Sequence, residues 1–557
     1  MNPFIERTED HLYTTWADIN WHNVEENVRR LQERIYRATM NKAWRRVKNL
    51  QKLLVRATSN KLLAIRRVTQ ENQGKHTAGI DGMVYDTPEA RWKLFQEGLS
   101  LKGYKPKPVR RVYIPKDNGK RRPLGIPTGR DRVMQAIVKA ALEPEWEARF
   151  EANSYGFRPG RCAMDAIAAI HTTMSRKDSS PWVLDADISG CFDNLDHSPL
   201  LAKLPVFTVT LHRWLKAGVV ELGSLTPTDT GTPQGGVISP LLANVALDGM
   251  ERLFDAEYAD GRPKAPAFRR GNNKGIAVIR YADDVVITAP TREVLETYAR
   301  PRIEKFLQER GLALSEAKTR IVHITEGFNF LGFHIRKFGK RGTLLTVPQK
   351  AKVLKHVRAI RAYLDAHKQT PAVTVIRALN PVIRGWVNYY RHCAAKQVFQ
   401  KVRHAHWHML WVWAKRRHPK KGRRWVKARY FKSDGYWTFH AEKAELVKPD
   451  TTPITRFVKV IGRSSPYDPA LRGYWTERKK RQVGRETYAK QRLMLLQRQE
   501  YRCALCHIQF VPGEAIETDH IIPTSQGGSD DRSNKRLVHP WCHRQRHQKD
   551  ERQRPRA

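Results

Sequence analysis

Residues 279–287, IRYADDVVI, carry the strongest structural signal in the chain. The adjacent carboxylates of Asp283 and Asp284 stand between two short β-branched runs, which predicts a tight hairpin with acids at its tip. Adjacent acids repel each other, and Mg²⁺ at the tip would offset this, because Mg²⁺ prefers one or two carboxylates together with substrate phosphates. Taken alone, an Asp-Asp pair is more often an ordinary surface turn. Features elsewhere in the chain favour a metal site at the hairpin tip over an ordinary turn.

A second acidic cluster follows another predicted strand, in residues 183–193, VLDADISGCFD. Pro181 precedes this strand and Gly190 interrupts it. If the strand and the hairpin pair in one sheet, Asp187 comes to lie beside the two hairpin acids. Carboxylates on neighbouring strands can hold two metal ions, which is the requirement of nucleotidyl transfer.

The charge of the chain predicts a polyanionic partner. Its 557 residues include 101 Lys plus Arg and 55 Asp plus Glu, giving a net charge of +46. Such an excess of cations is typical of nucleic-acid binding, and the length predicts several domains. The hydrophobic fraction of 40% predicts folded cores rather than a disordered basic tail. A ribosomal or histone-like binder without chemistry is the alternative.

Cysteine usage and hydropathy indicate a cytosolic compartment without a membrane span. Cys162, Cys191 and Cys393 are scattered, as is typical of reduced, buried thiols. The chain has no run of about 18 apolar residues, so no membrane span is expected. Residues 1–10 contain acids and no apolar segment, so neither a secretory signal nor a transit peptide is expected.

The remaining patterns predict helices and basic surfaces. Residues 24–70 have a basic, amphipathic pattern typical of helices that face either solvent or RNA. Asp131 is predicted to cap a helix, and residues 350–417 are predicted to form several helices. The cationic run 415–424 is either a solvated loop or a phosphate contact. Residues 446–472, with several Pro and Gly and no period, predict a linker or a loosely structured DNA-contacting region.

Seven ordered blocks between about residues 75 and 345 resemble reverse transcriptases, and most closely the multidomain proteins that bacterial group II introns encode. In chain order they are 77–82 (TAGIDG), 113–127 (YIPKDNGKRRPLGIP), 153–161 (NSYGFRPGR), 187–193 (DISGCFD), 231–244 (GTPQGGVISPLLAN), 281–284 (YADD), and 311–319 with 330–333 (GLALSEAKT and FLGF). One YADD box is weak evidence, whereas the ordered series is specific.

The resemblance implies roles for individual residues of these blocks. Asp187 and Asp283 would be the principal Mg²⁺ ligands, with Asp284 completing the catalytic triad. The residues implied in nucleotide binding are Lys116, Arg122, Phe192 and Gln234. Lys116 and Arg122 would hold the triphosphate, Gln234 would contact nucleotide or template, and Phe192 would exclude ribonucleotides by a clash with the 2′-hydroxyl. The alternative for Phe192 is a core aromatic.

Residues 383–390, IRGWVNYY, resemble the maturase, or thumb, region of the same family. The resemblance implies that Arg384, Trp386 and Tyr389 bind RNA, through the stacking and backbone contacts typical of aromatic and Arg side chains. A helical core with Trp386 buried is the alternative. Both interpretations hold if one face of the helix packs in the core and the other face binds RNA.

Two metal-binding patterns lie near the C-terminus. The pairs Cys503-x-x-Cys506 and His539-x-x-Cys542 have the spacing of a structural zinc site, with unrelated pairs as the alternative. The residues between them, including 518–523 (TDHIIP) and 527–530 (GGSD), resemble an HNH endonuclease, a ββα-metal nuclease. The family usually has a second Cys-x-x-Cys where this chain has His539.

The HNH resemblance implies a one-metal phosphodiesterase site. His520 would be the general base that activates water, and Asn534 would orient its imidazole. Asp519 and His543 would hold Mg²⁺ or Mn²⁺, with His547 assisting. A nuclease joined to a reverse transcriptase suits target-primed synthesis, in which a cut strand supplies the primer.

The patterns together predict a multidomain α+β protein with a right-hand polymerase. The predicted segments are a basic helical extension (1–75), fingers and palm with an antiparallel sheet (76–345), an α-helical thumb or maturase domain (346–445), a linker or DNA-binding region (446–485), and a small ββα-metal HNH domain with a zinc knuckle (486–557).

The resemblance implies a protein that binds group II intron RNA, promotes splicing, nicks target DNA and copies the intron from dNTPs. It places the protein in a cytoplasmic, nucleoid-associated bacterial ribonucleoprotein. The alternatives are an RNA-binding splicing cofactor without polymerase activity, or another lineage such as a retron or retrotransposon reverse transcriptase.

Overall fold

A computed structural model describes residues 13–115, 119, 121–254, 275–339, 341–433, 437–442, 444–484, 486, 488 and 490–553. Lys116, predicted to bind nucleotide, lies outside the described residues. None of the helices in these segments combines the length and apolar composition that a membrane crossing needs.

The described segments contain both helices and strands, as expected for an α+β protein. The helices are α1 (Trp21–Met40), α2 (Trp44–Arg56), α3 (Thr58–Arg66), α4 (Pro88–Gln96), α5 (Gly129–Arg149), α6 (Ala163–Met174), α7 (Cys191–Asn194), α8 (His197–Ala202), α9 (Thr208–Leu215), α10 (Ser239–Ala246), α11 (Arg300–Gln308), α12 (Lys350–Ala366), α13 (Ala372–Tyr390), α14 (Lys396–Arg417), α15 (Arg423–Tyr430), α16 (Arg472–Gly484), α17 (Lys490–Arg498) and α18 (Pro540–Gln553). The strands are β1 (Val109–Pro115), β2 (Arg121–Ile126), β3 (Trp182–Ser189), β4 (Val219–Glu221), β5 (Ser224–Thr226), β6 (Ala277–Tyr281), β7 (Asp284–Ala289), β8 (Ala313–Leu314), β9 (Arg320–His323), β10 (Phe328–Phe330), β11 (Phe333–Phe338), β12 (Thr343–Pro348), β13 (Phe431–Ser433), β14 (Trp437–Ala441), β15 (Ala444–Glu445), β16 (Glu517–His520) and β17 (Lys535–Val538).

The N-terminal helices pack on the long helix α5. The predicted helical region 24–70 is confirmed as three separate helices, α1 to α3, whose apolar faces share one core with α5. The start of α5 differs from our prediction. Thr128, not Asp131, is the cap, because its hydroxyl accepts the Asp131 backbone N–H at 3.1 Å. The Asp131 carboxylate lies inside the first turn and accepts the Thr128 hydroxyl in return.

The palm is a five-stranded sheet of order β6-β7-β3-β8, with β9 also pairing with β3. The strand β3 alternates its side chains between the two faces, as strand geometry requires. Leu184 and Ala186 join the core of the N-terminal and fingers helices, whereas Val183 joins a second core with α6 and the thumb. The fingers are a separate sheet of order β2-β1-β4-β5. The palm sheet is therefore covered on both faces.

The thumb contains the helices predicted over 350–417, which appear as α12, α13 and α14. They pack with the sheet β13-β14-β15 in the second core. The sheet β10-β11-β12 joins the palm to the thumb, and the Tyr390 hydroxyl donates to the Gly332 carbonyl at 3.2 Å across this junction.

Residues 446–472 contain only short 3₁₀ turns, as predicted from their lack of a hydrophobic periodicity. They are nevertheless packed against the palm. The buried Asp165 accepts the Val460 backbone N–H at 2.7 Å and pairs with Arg478 at 2.8 Å. Arg161 donates to the Gly462 carbonyl at 2.8 Å. Side chains from distant parts of the chain therefore hold this segment in place, which its own sequence does not reveal.

The C-terminal module is a β-hairpin, β16–β17, followed by α18, which is the expected ββα arrangement. It docks on the N-terminal helices. The Trp21 indole donates to Gln545 at 2.9 Å, and the Arg66 guanidinium lies 4.8 Å from the Trp21 ring and 5.2 Å from the Trp541 ring. Arg66 is 1% exposed and also pairs with Glu71 at 2.9 Å.

Candidate polymerase and endonuclease sites

The acids of the YADD box lie at the tip of the predicted hairpin. The strands β6 and β7 pair from Ala277–Thr288 to Tyr281–Asp284, so Ala282 and Asp283 form a two-residue turn. Ala282 has φ +57, the left-handed conformation that such hairpin turns need. Asp284 is the first residue of β7 rather than part of the turn.

The predicted pairing of the two acidic segments is present. In the register of β3 and β7, Asp187 lies directly opposite Asp284. The Ile188 backbone N–H also donates to the Asp283 carbonyl at 3.3 Å. Cross-strand partners have Cβ atoms about 5 Å apart. The three predicted metal-binding acids therefore share one edge of the palm sheet.

The electrostatics of this edge fit a bound cation. Burial, followed by the neighbouring charges of Asp283, Asp187 and Asp185, raises the pKa of Asp284 to about 7. Burial also raises the pKa of Asp283, and Asp187 adds to the shift, whereas the cations Arg122 and Lys318 oppose it. Clustered carboxylates whose charges destabilise one another are hard oxygen donors of the kind that Mg²⁺ requires.

Lys318 belongs to one of the sequence blocks, but the sequence analysis assigns no role to it. In the structure it contacts Asp187. Its Nζ lies 2.9 Å from both carboxylate oxygens of Asp187, and its side chain is 62% exposed. A mobile surface cation therefore neutralises one of the three acids.

A buried arginine behind the hairpin was missed by the sequence analysis. Arg280, 2% exposed, donates to the Asn244 side chain and the Ala282 carbonyl, both at 3.0 Å, and to the Ser154 hydroxyl at 2.7 Å. The sequence signal that could have revealed Arg280 is the presence of an arginine inside the otherwise apolar strand β6. Arg280 fixes the turn that carries Asp283.

The predicted nucleotide-binding residues that the structure describes lie on β2 (Arg122), on α7 (Phe192) and in the loop before α10 (Gln234). Arg122 lies on β2, close enough for its charge to lower the pKa of Asp283 against the effect of burial. Phe192 is half-buried, with its ring edge-to-face with that of Phe157 at 6.3 Å. The Gln234 carbonyl accepts the Gly125 backbone N–H at 2.7 Å, which joins its loop to the fingers hairpin.

Glycine is required beside Gln234. Gly235 has φ +122, and a Cβ there would lie 2.8 Å from the Gly125 carbonyl oxygen. A Cβ on Gly236 would lie 2.6 Å from the Ser239 hydroxyl. The absence of a Cβ at these two glycines therefore lets the loop after Gln234 pack against the fingers hairpin and the start of α10.

The three predicted RNA-binding residues of α13 have different environments. Trp386 is half-buried and stacks on His356 at 4.6 Å, so it packs between helices. Tyr389 is 39% exposed, and its hydroxyl donates to the Leu331 carbonyl at 2.8 Å. Arg384 is partly exposed, and burial followed by the charge of Arg492 lowers its pKa. Arg384 and Tyr389 offer accessible surface, whereas Trp386 is mainly a packing residue.

The predicted zinc ligands converge in the C-terminal module. Cys503, Cys506, His539 and Cys542 are all buried and place one ligand atom each within 4.8 Å of the others. His539, which departs from the usual Cys, lies with Nδ1 3.4 Å from the Cys506 sulfur. Three thiols and one imidazole in this grouping match a structural zinc site.

A second ligand cluster combines Asp519, His543 and His547, whose ligand atoms also lie within 4.8 Å of one another. His543 Nε2 is 3.3 Å from Asp519, and Nδ1 is 2.8 Å from Glu517, a partner that the sequence analysis missed. Asp519 is also held by Arg536 at 2.8 Å and by Arg546. Among the described residues, these two C-terminal clusters are the compact groups of three or more potential metal ligands.

The two predicted catalytic residues beside this cluster differ in their contacts. His520 Nε2 lies 3.0 Å from Asp530, an exposed acid of the GGSD segment to which the sequence analysis assigns no role. Asn534 was expected to orient the His520 imidazole, but its side chain bonds to backbone groups. It donates to the carbonyls of Ile522 at 2.9 Å and Ser529 at 2.8 Å and accepts the Ile522 N–H. In this geometry Asn534 fixes the loop after His520 instead of touching the imidazole.

Four family models match separate parts of the chain. They are the N-terminal domain of reverse transcriptase (residues 16–97), reverse transcriptase (114–335), the group II intron maturase-specific domain (353–431) and HNH endonuclease (503–549). The segment between the last two models, 432–502, contains α16 and α17.

Curated proteins match the polymerase and thumb portions. Protein YkfC of Escherichia coli (strain K12) is 34% identical over 338 residues, covering 54% of this chain and 88% of YkfC. Group II intron-encoded protein LtrA of Lactococcus lactis subsp. cremoris is 29% identical over 401 residues, covering 57% of this chain and 66% of LtrA. The chain therefore belongs to the group II intron-encoded proteins that combine reverse transcriptase, maturase and HNH endonuclease domains.

Proposed function

We propose that this protein binds its group II intron RNA, promotes splicing, nicks a DNA target, and uses the nicked strand to prime DNA synthesis on the intron RNA. The observation that carries the polymerase part is the register that sets Asp187 opposite Asp284 beside the Asp283 turn. The combination of this edge with an HNH module in one chain favours cutting and copying by the same protein.

In the proposed polymerase site, Asp187, Asp283 and Asp284 hold Mg²⁺. When bound, two such ions activate the primer 3′-hydroxyl and neutralise charge on the leaving pyrophosphate. Arg280 keeps the turn in place through its bond to the Ala282 carbonyl. Lys318 balances the charge of Asp187 when the acids are not all engaged, because its long side chain is exposed and free to withdraw.

We assign the incoming dNTP to the space between the fingers hairpin and the palm edge. Arg122 would pair with the triphosphate, since guanidinium groups match phosphate oxygens in charge and geometry. Phe192 would lie under the sugar, supported edge-on by Phe157. The Gln234 loop, held to Gly125, would contact the nucleotide or the template. Lys116 belongs to the same proposed set.

In the proposed nuclease site, Asp519 and His543 hold a divalent ion, Mg²⁺ or Mn²⁺, with His547 as a further ligand. The ion would stabilise charge on the scissile phosphate. His520 would take a proton from the attacking water, and its contact with Asp530 supports this, because a carboxylate stabilises the imidazolium that forms. Asn534 supports the site by holding residues 522 and 529 together. Zn²⁺ would occupy the separate cysteine-rich cluster.

Intron RNA is the proposed partner of the thumb and of the basic surfaces. The maturase-specific match and the net charge of +46 support this. Arg384 and Tyr389 on α13 are accessible for it, and the cationic run 415–424 joins the end of α14 to α15. The resulting ribonucleoprotein is proposed to act at the nucleoid of a bacterial cell.

Primer extension on an RNA template with Mg²⁺ tests the polymerase assignment. Asp283→Ala should abolish DNA synthesis and leave RNA binding unchanged, because it removes a metal ligand from a surface turn. A protein that binds RNA but makes no DNA even as the wild type would favour the splicing-cofactor alternative. A variant that loses RNA binding as well would make Asp283 structural.

Nicking of a DNA duplex tests the nuclease assignment. His520→Ala should stop nicking while extension of a supplied primer survives, because the two sites lie in different modules. Equal loss of both activities in this variant would argue against separate active sites.

A further inference from the structure

A cleft of about 730 Å³ lies where the palm, the thumb helix α13, the helix α16 and the HNH module meet. Its volume is in the range of about 300–1,000 Å³ typical of ligand sites. The palm contributes Arg161 and Cys162, α13 contributes Tyr389, and the HNH module contributes Gly513. No residue predicted for the polymerase or nuclease chemistry lines it, so the cleft is separate from both sites.

One end of the cleft adjoins the polymerase edge. Residues 153–155 pair with β6, since the Arg280 N–H donates to the Asn153 carbonyl and the Tyr155 N–H to the Arg280 carbonyl, both at 2.9 Å. The chain then runs directly into the cleft wall at Gly160. Tyr281 of the YADD box packs in the same apolar cluster as Cys162.

The other end of the cleft adjoins the nuclease. Glu486 accepts the Gly513 backbone N–H at 2.6 Å, which anchors the HNH loop to the cleft wall. Gly513 precedes Asp519 by six residues, a path of at most about 20 Å even for a fully extended chain. The cleft therefore touches both the palm segment that pairs with β6 and the loop that leads into the HNH strand β16.

The lining has the chemistry of a single-strand binding groove. Five Arg or Lys and two Glu side chains line it with four aromatic rings, but Arg161, Arg391, Arg478 and Trp475 are buried. Apart from Tyr389, assigned above to intron RNA, the accessible cations and rings are those of Lys479, Arg481, Phe457 and Tyr474. One acid, Glu477, already pairs with Lys480 at 3.6 Å. Cations that follow the backbone, together with aromatic rings on which bases stack, are what unpaired nucleic acid requires.

Buried donors in the lining lack partners. Within the described part of the chain, the buried Nε atoms of Arg161 and Arg478 and the indole nitrogen of Trp475 have no hydrogen-bond acceptor. These side chains are 8%, 6% and 5% exposed. These atoms lie behind the cleft surface, and the other nitrogens of Arg161 and Arg478 bond the Gly462 carbonyl and Asp165, so these side chains build the cleft wall and leave ligand contact to the accessible residues.

We propose that this cleft binds the unpaired 3′ segment of the nicked DNA strand and guides it from the HNH site to the polymerase site. The inference rests on the proposed function, because it needs a nick at one site and extension at the other. DNA is favoured over RNA because the cleft joins the two sites that act on DNA. A duplex is disfavoured because the aromatic rings contact base faces, which pairing and stacking cover.

Photocrosslinking tests occupancy without relying on either catalytic activity. Full-length protein would be mixed with a short oligodeoxynucleotide containing bromodeoxyuridine, irradiated and digested, and the crosslinked peptides identified by mass spectrometry. Crosslinks within 385–392 or 457–482 are expected. Crosslinks confined to other regions would overturn the proposal, as would displacement by an RNA oligonucleotide of the same sequence at equal or lower concentration.

A transfer assay tests the guiding role. The double variant Tyr474→Ala with Arg481→Glu should nick a duplex and extend a supplied primer like the wild type. Extension from its own nick should fall about tenfold, since one stacked base and one phosphate contact are lost. Lys52→Glu is the control, with the same charge change at an exposed residue of α2 that neither lines the cleft nor contacts its lining.

The results separate this proposal from the proposed function. Normal transfer by the double variant, or equal loss in the Lys52→Glu control, would overturn the guiding role. Loss of nicking or of supplied-primer extension in the double variant would also overturn it, by making these residues structural. A wild type that neither nicks nor extends would instead contradict the proposed function, while the crosslinking result would still decide whether the cleft binds single-stranded DNA.

Discussion

Lys318 and Asp187 form an ion pair at the polymerase edge, with the lysine Nζ 2.9 Å from each carboxylate oxygen. The ammonium group contacts both oxygens of Asp187, which are the atoms through which this carboxylate would bind a divalent ion. Since Lys318 is 62% exposed, the pair is screened by solvent and can open at low cost.

We therefore expect Lys318→Met to lower the Mg²⁺ concentration that gives half-maximal primer extension, by about two- to fivefold, as expected for removal of a weak competing ion pair. A Mg²⁺ titration of DNA synthesis measures this change. Lys318→Arg is the control and should keep the wild-type requirement. A Lys318→Met enzyme that needs more Mg²⁺ would show that the lysine assists metal binding.

Removing Arg280 should destabilise the palm and impair synthesis. Arg280→Met leaves three buried acceptors, on Ser154, Asn244 and Ala282, without their donor. A buried acceptor left without its donor costs about 1–3 kcal/mol. Thermal unfolding should show a lower midpoint, and primer extension should fall even at temperatures where the variant is folded. A folded variant with full activity would refute the positioning role.

The thumb should be sensitive to acid. Burial lowers the pKa of His406 to about 3 and that of His356 to about 4, so both imidazoles are neutral in the folded protein. The unfolded chain takes up these protons near pH 6.5, so stability is complete above that pH and falls as the pH drops toward 4. The loss is about 1.4 kcal/mol per pH unit for each histidine.

Thermal unfolding followed from pH 7.5 to pH 5 checks this expectation. His406→Leu should flatten the pH dependence, because it removes one of the two groups. His404→Leu, on the exposed side of the same helix, is the matched control and should leave the slope as in the wild type. If stability depends on pH with the same slope in the wild type, His406→Leu and His404→Leu, the buried His406 is not an origin of the acid sensitivity.

Disrupting the zinc cluster should affect the nuclease selectively. Cys503→Ser should reduce bound zinc, measured by atomic emission, and abolish nicking, because the cluster lies behind β17 and α18. Primer extension should be retained, since the three polymerase acids are carried by a separate sheet, β6-β7-β3-β8. Cys393→Ser, a buried thiol of the thumb, is the control and should keep the zinc. Unchanged zinc content in Cys503→Ser would contradict the ligand assignment.

The sequence predicts features whose determinants are local. The YADD hairpin needs only two β-branched runs and a two-residue turn, and the ββα module needs only its ligand spacing. The contacts of Arg280 could not be predicted, because its partners Ser154 and Asn244 are far away in the chain. The packing of residues 446–472 was missed for the same reason, since Asp165 and Arg161 hold it from another part of the chain.

The contacts of Asn534 show a different limit. Its place in the HNH motif suggested a bond to the His520 imidazole, but the side-chain amide bonds to two carbonyls of the intervening loop. A motif gives the residue type that a site needs. It does not specify which backbone groups compete for that side chain.

The Arg66 guanidinium, enclosed by the rings of Trp21 and Trp541, has a consequence for engineering. A shortened enzyme for laboratory cDNA synthesis, cut before the nuclease, would uncover this cation and the apolar face of α1 around it. We expect such a truncation to aggregate unless the exposed patch is redesigned with polar residues. Chimeras that exchange the nuclease should therefore carry α1 and α3 from the same donor.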